Sequence, residues 1–177
     1  TLMTTWKTGR RLVYSRAGRG RQPVAAVIRS LSQNPPPRVD GTAVFLTPNV
    51  DEIPPAFLAN LRFNNVGHED VVFLTVETAD VPVVLPAERE VVRSFTNDFH
   101  HITLRYGFME EPDVPRDLGS LGLKHVTFDP AHTTYFLAKE NIRVTEHPGM
   151  ALWRERLFSV LHRNATSAAD YFHLPRN

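Results

Sequence analysis

Two short apolar runs, Thr42–Thr47 and Val71–Val76, bracket a stretch that opens on Pro54-Pro55 and reads as a helix to about Asn65. A continuous apolar run of this length suits a strand buried on both faces. Proline is favoured in the first turn of a helix, where its missing N–H costs nothing. Phe57, Leu58 and Leu61, with Arg62 beside them, give that helix a narrow apolar stripe. Strand, helix and strand joined by short loops form a βαβ unit, with parallel strands and a right-handed crossover.

The rest of the body extends this unit. Val91–Phe95 and His101–Tyr106 are rich in β-branched and aromatic residues and flank the turn pair Asn97-Asp98, which predicts a hairpin. Asp113-Val114-Pro115 opens a short helix to about Leu121, Thr133–Ala138 is a further strand, and a weaker one follows at Asn141–Val144. Pro148 starts the longest helix, in which Met150, Trp153, Leu157, Val160 and Leu161 recur at helical spacing. Such a stripe belongs to a core. The expected class is α/β, a mainly parallel sheet with flanking helices.

Ahead of the body, residues 5–16 can form a helix carrying Trp6, Leu12 and Val13, and Pro23 to Leu31 a second, with Val24, Val27, Ile28 and Leu31 in phase. The run Asn34-Pro35-Pro36-Pro37 ends it. A basic helical linker over 1–38 and an α/β domain over 39–177 are therefore expected. Charge divides in nearly the same place. Residues 1–40 hold eight basic side chains against one acid, Asp40, a balance of +7, and the remainder holds 12 basic against 18 acidic, a balance of −6. Three readings suit the basic arm: a solvated helix, nucleic acid, or an anionic membrane surface. The acidic body speaks against nucleic acid. No window approaches the ~18 apolar residues of a membrane span, so the chain by itself is expected to be soluble. Its start at Thr1, without a signal pattern, reads as a fragment of something longer.

Chemistry is sparse. The absence of cysteine excludes disulfides and thiolate metal sites. Gly18 and Gly20 follow no strand and form no dinucleotide loop, no phosphate-binding P-loop motif occurs, and Leu118–Gly122 closes a helix instead of forming a nucleophile elbow. His100 and His101, adjacent on a strand, point to opposite faces and cannot chelate one ion, so one is expected to face solvent and the other the sheet. His68, His125 and His132 lack chelating spacing. Glu110, Glu111 and Asp113 sit where a helix N-terminus favours negative charge. No catalytic or metal residue is assigned. In parallel α/β sheets, ligands favour the crevice beyond the carboxyl ends of the strands. Thr47, Asn49 and Asp51 after the first strand, and Glu77 and Thr78 after the second, are the candidates for a ribose, base edge or phosphate, with ordinary loop capping as the alternative.

Several segments carry a resemblance, in order: Gly41-Thr-Ala-Val-Phe-Leu-Thr47, Ile53-Pro-Pro-Ala-Phe-Leu-Ala-Asn-Leu61, Arg105-Tyr-Gly-Phe-Met-Glu110 with Pro112-Asp-Val-Pro115, Thr134-Tyr-Phe-Leu137, and Pro148-Gly-Met-Ala-Leu-Trp-Arg154 with Arg163-Asn-Ala165. Together they resemble the C-terminal domain of the Kup/HAK/KT potassium transporters, and Thr5-Trp-Lys-Thr-Gly-Arg-Arg11 resembles the stretch that leaves the family's last transmembrane helix. The resemblance implies a cytoplasmic, non-enzymatic domain of a proton-coupled potassium importer whose ion pathway lies elsewhere. A related transporter group has a cytosolic part that looks like a universal stress protein, dimerises, and in some members binds cyclic di-AMP. The implied partners are the transmembrane part, a second copy, and anionic lipid contacted by Lys7, Arg10, Arg11, Arg16, Arg19 and Arg21. No cofactor is implied, and the regulatory ligand to look for is cyclic di-AMP or an AMP-like nucleotide. A domain that only assembles the transporter is the alternative. The family pattern continues beyond Leu174-Pro175 into a further strand.

Overall fold

The computed structural model describes residues 23–122, 126, 128–138 and 168–175. The expected helix over 5–16, the strand at 141–144 and the helix from Pro148 lie outside the described residues, as do Lys7, Arg10, Arg11, Arg16, Arg19 and Arg21.

The elements in order are α1 (Val24–Gln33), β1 (Arg38–Leu46), α2 (Pro55–Asn64), β2 (Gly67–Ala79), a 3-10 turn (Pro86–Glu88), β3 (Glu90–Ser94), β4 (Phe99–Gly107), α3 (Val114–Ser120), β5 (Thr133–Phe136) and α4 (Ala168–Tyr171). The sheet runs β3-β4-β2-β1-β5. β1 is parallel to β2 and β5, and β2 is parallel to β4, while β3 returns antiparallel along β4. The strand–helix–strand pattern thus gives the parallel centre, and the Asn97-Asp98 turn gives the antiparallel edge.

Alternation along the strands divides the core. Val44, Val72, Leu74, Ile102 and Leu104 pack with Val114 and Leu118 of α3. Ala43, Phe45, Val71 and Phe73 pack with Phe57 of α2 and with Val24, Val27 and Ile28 of α1. Successive residues of a strand point to opposite faces, so a run apolar at every position must be covered on both sides. Phe57 anchors its layer, with its ring edge-on to Phe45 at 5.2 Å and to Phe73 at 5.3 Å. The helix grouped by sequence with the linker therefore buries its apolar face inside the body's core.

The ends of α2 follow its sequence. Pro55 occupies the first turn, and Asn65 closes the helix in the left-handed conformation, φ 51°, with its N–H donating to the Leu61 carbonyl. Asparagine tolerates that conformation better than most side chains. No helix among the described residues is long and apolar enough to cross a membrane.

Candidate functional site

The loop after β1 is held by its own polar groups. The Thr47 N–H donates to the Leu74 carbonyl at 2.8 Å, anchoring the loop to β2. Its hydroxyl donates to the Asn49 carbonyl at 3.1 Å and accepts from the Asn49 N–H at 3.3 Å. Asn49 Oδ1 accepts from the Asp51 N–H at 3.1 Å, a turn that asparagine favours. The Asp51 carbonyl accepts from the Val24 N–H at 3.2 Å, and its carboxylate meets Arg93 at 3.5 Å.

Beneath this loop lies a buried chain of hydrogen bonds. The Thr75 hydroxyl donates to the Thr47 carbonyl at 3.0 Å. It therefore accepts from His101 Nε2, also 3.0 Å away, which assigns the Nε2-protonated tautomer to the imidazole. Burial holds the His101 pKa below its usual value, and Arg93 lowers it further.

The structure brings Thr47, Asn49 and Asp51 together but leaves Glu77 and Thr78 outside any loop. β2 continues to Ala79, pairing Glu77 with Arg105 and Thr78 with Tyr106. The Glu77 carboxylate accepts from Arg105 Nε at 3.2 Å. An opposite-charge pair across neighbouring strands supports the ladder where the sequence has turned polar.

His100 and His101 do point to opposite faces, yet both are buried, at 6% and 2% exposure. His100 is covered because the hairpin folds over it. Its Nε2 donates to the Asn97 carbonyl at 2.9 Å, and Nδ1 meets the Ser94 hydroxyl at 2.9 Å. No metal-binding cluster occurs among the described residues.

A second polar cluster escaped the sequence reading. Asp113 does cap α3, accepting from the Arg116 N–H at 3.2 Å. Glu110 turns instead toward the loop between β2 and β3. It accepts from the Gly107 N–H at 2.7 Å and the Val84 N–H at 2.9 Å, and it pairs with Arg89. Those two backbone donors, followed by Arg89, pull its pKa from 4.5 down to about 2. Arg89 also lies over the Tyr106 ring at 5.2 Å. The Tyr106 hydroxyl donates to Asp117 at 2.6 Å, and burial followed by that partner raises its pKa strongly. Gly107 carried the one legible signal. A Cβ there would lie 2.2 Å from the Pro82 carbonyl oxygen, so only glycine lets the end of β4 meet the loop between β2 and β3.

The opposite end of the sheet holds a cleft of about 290 Å3. It opens where β1, β2 and β4 begin. Phe57, Leu61, Val71 and Phe99 line its apolar part, and the Arg38–Asp98 ion pair, 2.6 Å, stands among its polar residues. His68 also lines it, with a pKa lowered by burial.

Comparison with known proteins decides the family. The profile described as "K+ potassium transporter C-terminal domain" matches residues 40–177. The chain is a C-terminal domain of the Kup potassium transporter family. The probable potassium transport system protein Kup of Pseudomonas aeruginosa strain LESB58 is 46% identical over 99% of the chain. Its counterpart in Azoarcus sp. strain BH72 is also 46% identical, over the whole chain, and that of Aromatoleum aromaticum 47%. The chain spans 28% of the length of each of these relatives. No solved structure matches it.

Proposed function

We propose that this chain is a regulatory and dimerising cytoplasmic domain of a proton-coupled potassium uptake transporter. The observation that carries the reading is similarity along the whole chain to Kup potassium transport proteins of which it spans little more than a quarter. On this reading the domain binds and does not catalyse, and its partners are the transmembrane part and a second copy. The fold that goes with it is universal-stress-protein-like, supported by parallel strands covered by helices on both faces. The basic segment holding Lys7, Arg10, Arg11, Arg16, Arg19 and Arg21 lies against the anionic inner leaflet, in keeping with the excess of Lys and Arg near cytoplasmic membrane boundaries.

The regulatory ligand in this proposal is an adenine nucleotide such as cyclic di-AMP, received by the loop of Thr47, Asn49 and Asp51. A second reading, an assembly domain with no small ligand, is favoured by a specific observation. The Thr47 hydroxyl and the Asn49 amide oxygen already have partners inside the loop.

A melting screen against cyclic di-AMP, AMP, ADP, ATP and potassium chloride, with solution mass measured alongside, separates the two. A ligand present at 100 times its Kd stabilises the folded state by about 2.7 kcal/mol. A melting shift with one nucleotide supports the sensor. Flat curves with a stable dimer support assembly alone, and a monomer that binds none of them removes both readings.

A further inference from the structure

The polar cluster of Arg89 and Glu110 fixes a surface that calls for a partner. The Phe108 N–H donates to the Val81 carbonyl at 2.9 Å and the Met109 N–H to the Pro82 carbonyl at 3.1 Å. These bonds bring two chain segments side by side, and both expose large apolar side chains. Val83 is 62% exposed, Leu85 65%, Phe108 60% and Met109 74%. The segments are tied down from below. Glu110 binds the Val84 and Gly107 amides and pairs with Arg89, which in turn donates to the Val84 carbonyl at 3.3 Å. Phe63, another exposed aromatic, is different, because the guanidinium of its neighbour Arg62 lies over its ring. Contiguous apolar side chains held outward on a fixed backbone mark an interaction surface, whereas single exposed ones do not.

Charge indicates what sits there. Asp80, Glu88 and Glu90 flank the patch along the chain and are exposed, while the one intervening cation, Arg89, is engaged by Glu110. An acidic rim repels anionic lipid. It also disfavours a second copy, because a twofold interface through this patch would set each rim against its own image. A basic amphipathic segment satisfies both parts, its apolar face on Phe108 and Met109 and its cations on the rim.

We infer that this patch docks a basic amphipathic segment from the rest of the longer protein. The relatives are more than three times the length of the chain. Segments that adjoin membrane spans on the cytoplasmic side are rich in Lys and Arg. The inference rests on the cytoplasmic reading proposed above.

The test places a photo-crosslinking benzoylphenylalanine at Phe108, and separately at Met109, in the full-length transporter in membranes, with Phe63 as the control position. Cross-linked peptides are then sequenced by mass spectrometry. The expected product joins position 108 or 109 to a Lys- and Arg-containing segment outside the present 177 residues, and the control does not give it. Asp80→Lys with Glu88→Lys should cut the yield at least fivefold without changing the circular dichroism spectrum. Cross-links to the same patch of a second copy, to lipid, or equally from position 63 overturn the inference, as does an unchanged yield in the charge variant or no cross-link at all. A cysteine introduced at Phe63, in a full-length background whose other cysteines have been replaced, reports sidedness by labelling in inside-out vesicles. Labelling there without the cross-link would defeat the docking site alone, and its absence would defeat the cytoplasmic reading.

Discussion

Glu110→Gln isolates the charge that holds the loop between β2 and β3. Glutamine has the same shape and can place its one oxygen where Oε2 accepts from the Gly107 and Val84 amides. It must then turn an NH2 group toward Arg89, where two donors face each other. The carboxylate's pKa stands at about 2 against an ordinary 4.5, a difference equivalent to about 3 kcal/mol at full strength. Glu110 is partly exposed and solvent screens the pair, so a net loss of about 1–2 kcal/mol is expected for the variant at pH 7. For a chain of this length that lowers Tm by roughly 2–8 °C. The folded-state pKa is depressed, so the stabilisation is complete above the unfolded value and is lost as pH falls from 4.5 toward 2. By pH 3 roughly three-fifths of it has gone. Urea unfolding of wild type and variant at pH 7, 5, 4 and 3 measures this, and the difference between them cancels other titrating groups. A gap that stays constant from pH 7 to pH 3 would refute the reasoning, because it would trace the loss to shape and not to charge.

Other substitutions test other parts of the fold. Gly107→Ala drives a methyl group against the Pro82 carbonyl and should cost about 1–3 kcal/mol, with faster hydrogen exchange at the Phe108 and Met109 amides. Phe57→Ala empties the centre of the aromatic layer and should cost about 3–5 kcal/mol in denaturant unfolding. Thr133→Val removes a buried hydroxyl without a partner among the described residues, and stability should hold or rise by up to about 1 kcal/mol. Burial lowers the folded-state pKa of His101 below 6.5, so its stability contribution is whole above pH 6.5 and declines as pH falls through the folded value. His101→Gln should flatten the dependence of Tm on pH between 6.5 and 5.

What the sequence made legible follows from how locally each feature is determined. Ala43, Val44 and Phe45 announce a strand covered on both faces whatever their partners, and Pro55 and Asn65 mark the ends of α2 by backbone preference alone. Glu77 and Thr78 read as a loop because polarity begins there, and only the distant Arg105 and Tyr106 keep them in the ladder. His100 is buried by a hairpin whose closure depends on Asn97 and Ser94 together. Glu110 stood beside a helix start that explained its charge well enough, while two of its three partners, Arg89 and Val84, lie 21 and 26 positions away. Local preference cannot reveal a contact of that kind.

The same distinction bears on where a ligand would bind. At the carboxyl ends of the strands, Thr47, Asn49 and Thr75 satisfy one another, so a nucleotide there must first replace hydrogen bonds the loop already makes. Each bond replaced returns only about 0.5–1.5 kcal/mol, which leaves little net gain from polar contacts. The cleft at the amino ends presents the reverse case, with the apolar walls of Phe57, Val71 and Phe99 beside the Arg38–Asp98 pair. Burying a flat ring there yields roughly 25 cal/mol for each Å2 of apolar surface removed from water, without dismantling the loop. Asn49→Ala and Phe99→Ala therefore divide the outcomes of the melting screen. A nucleotide shift abolished by the first substitution places the ligand after β1, and one abolished only by the second places it at the other end of the sheet.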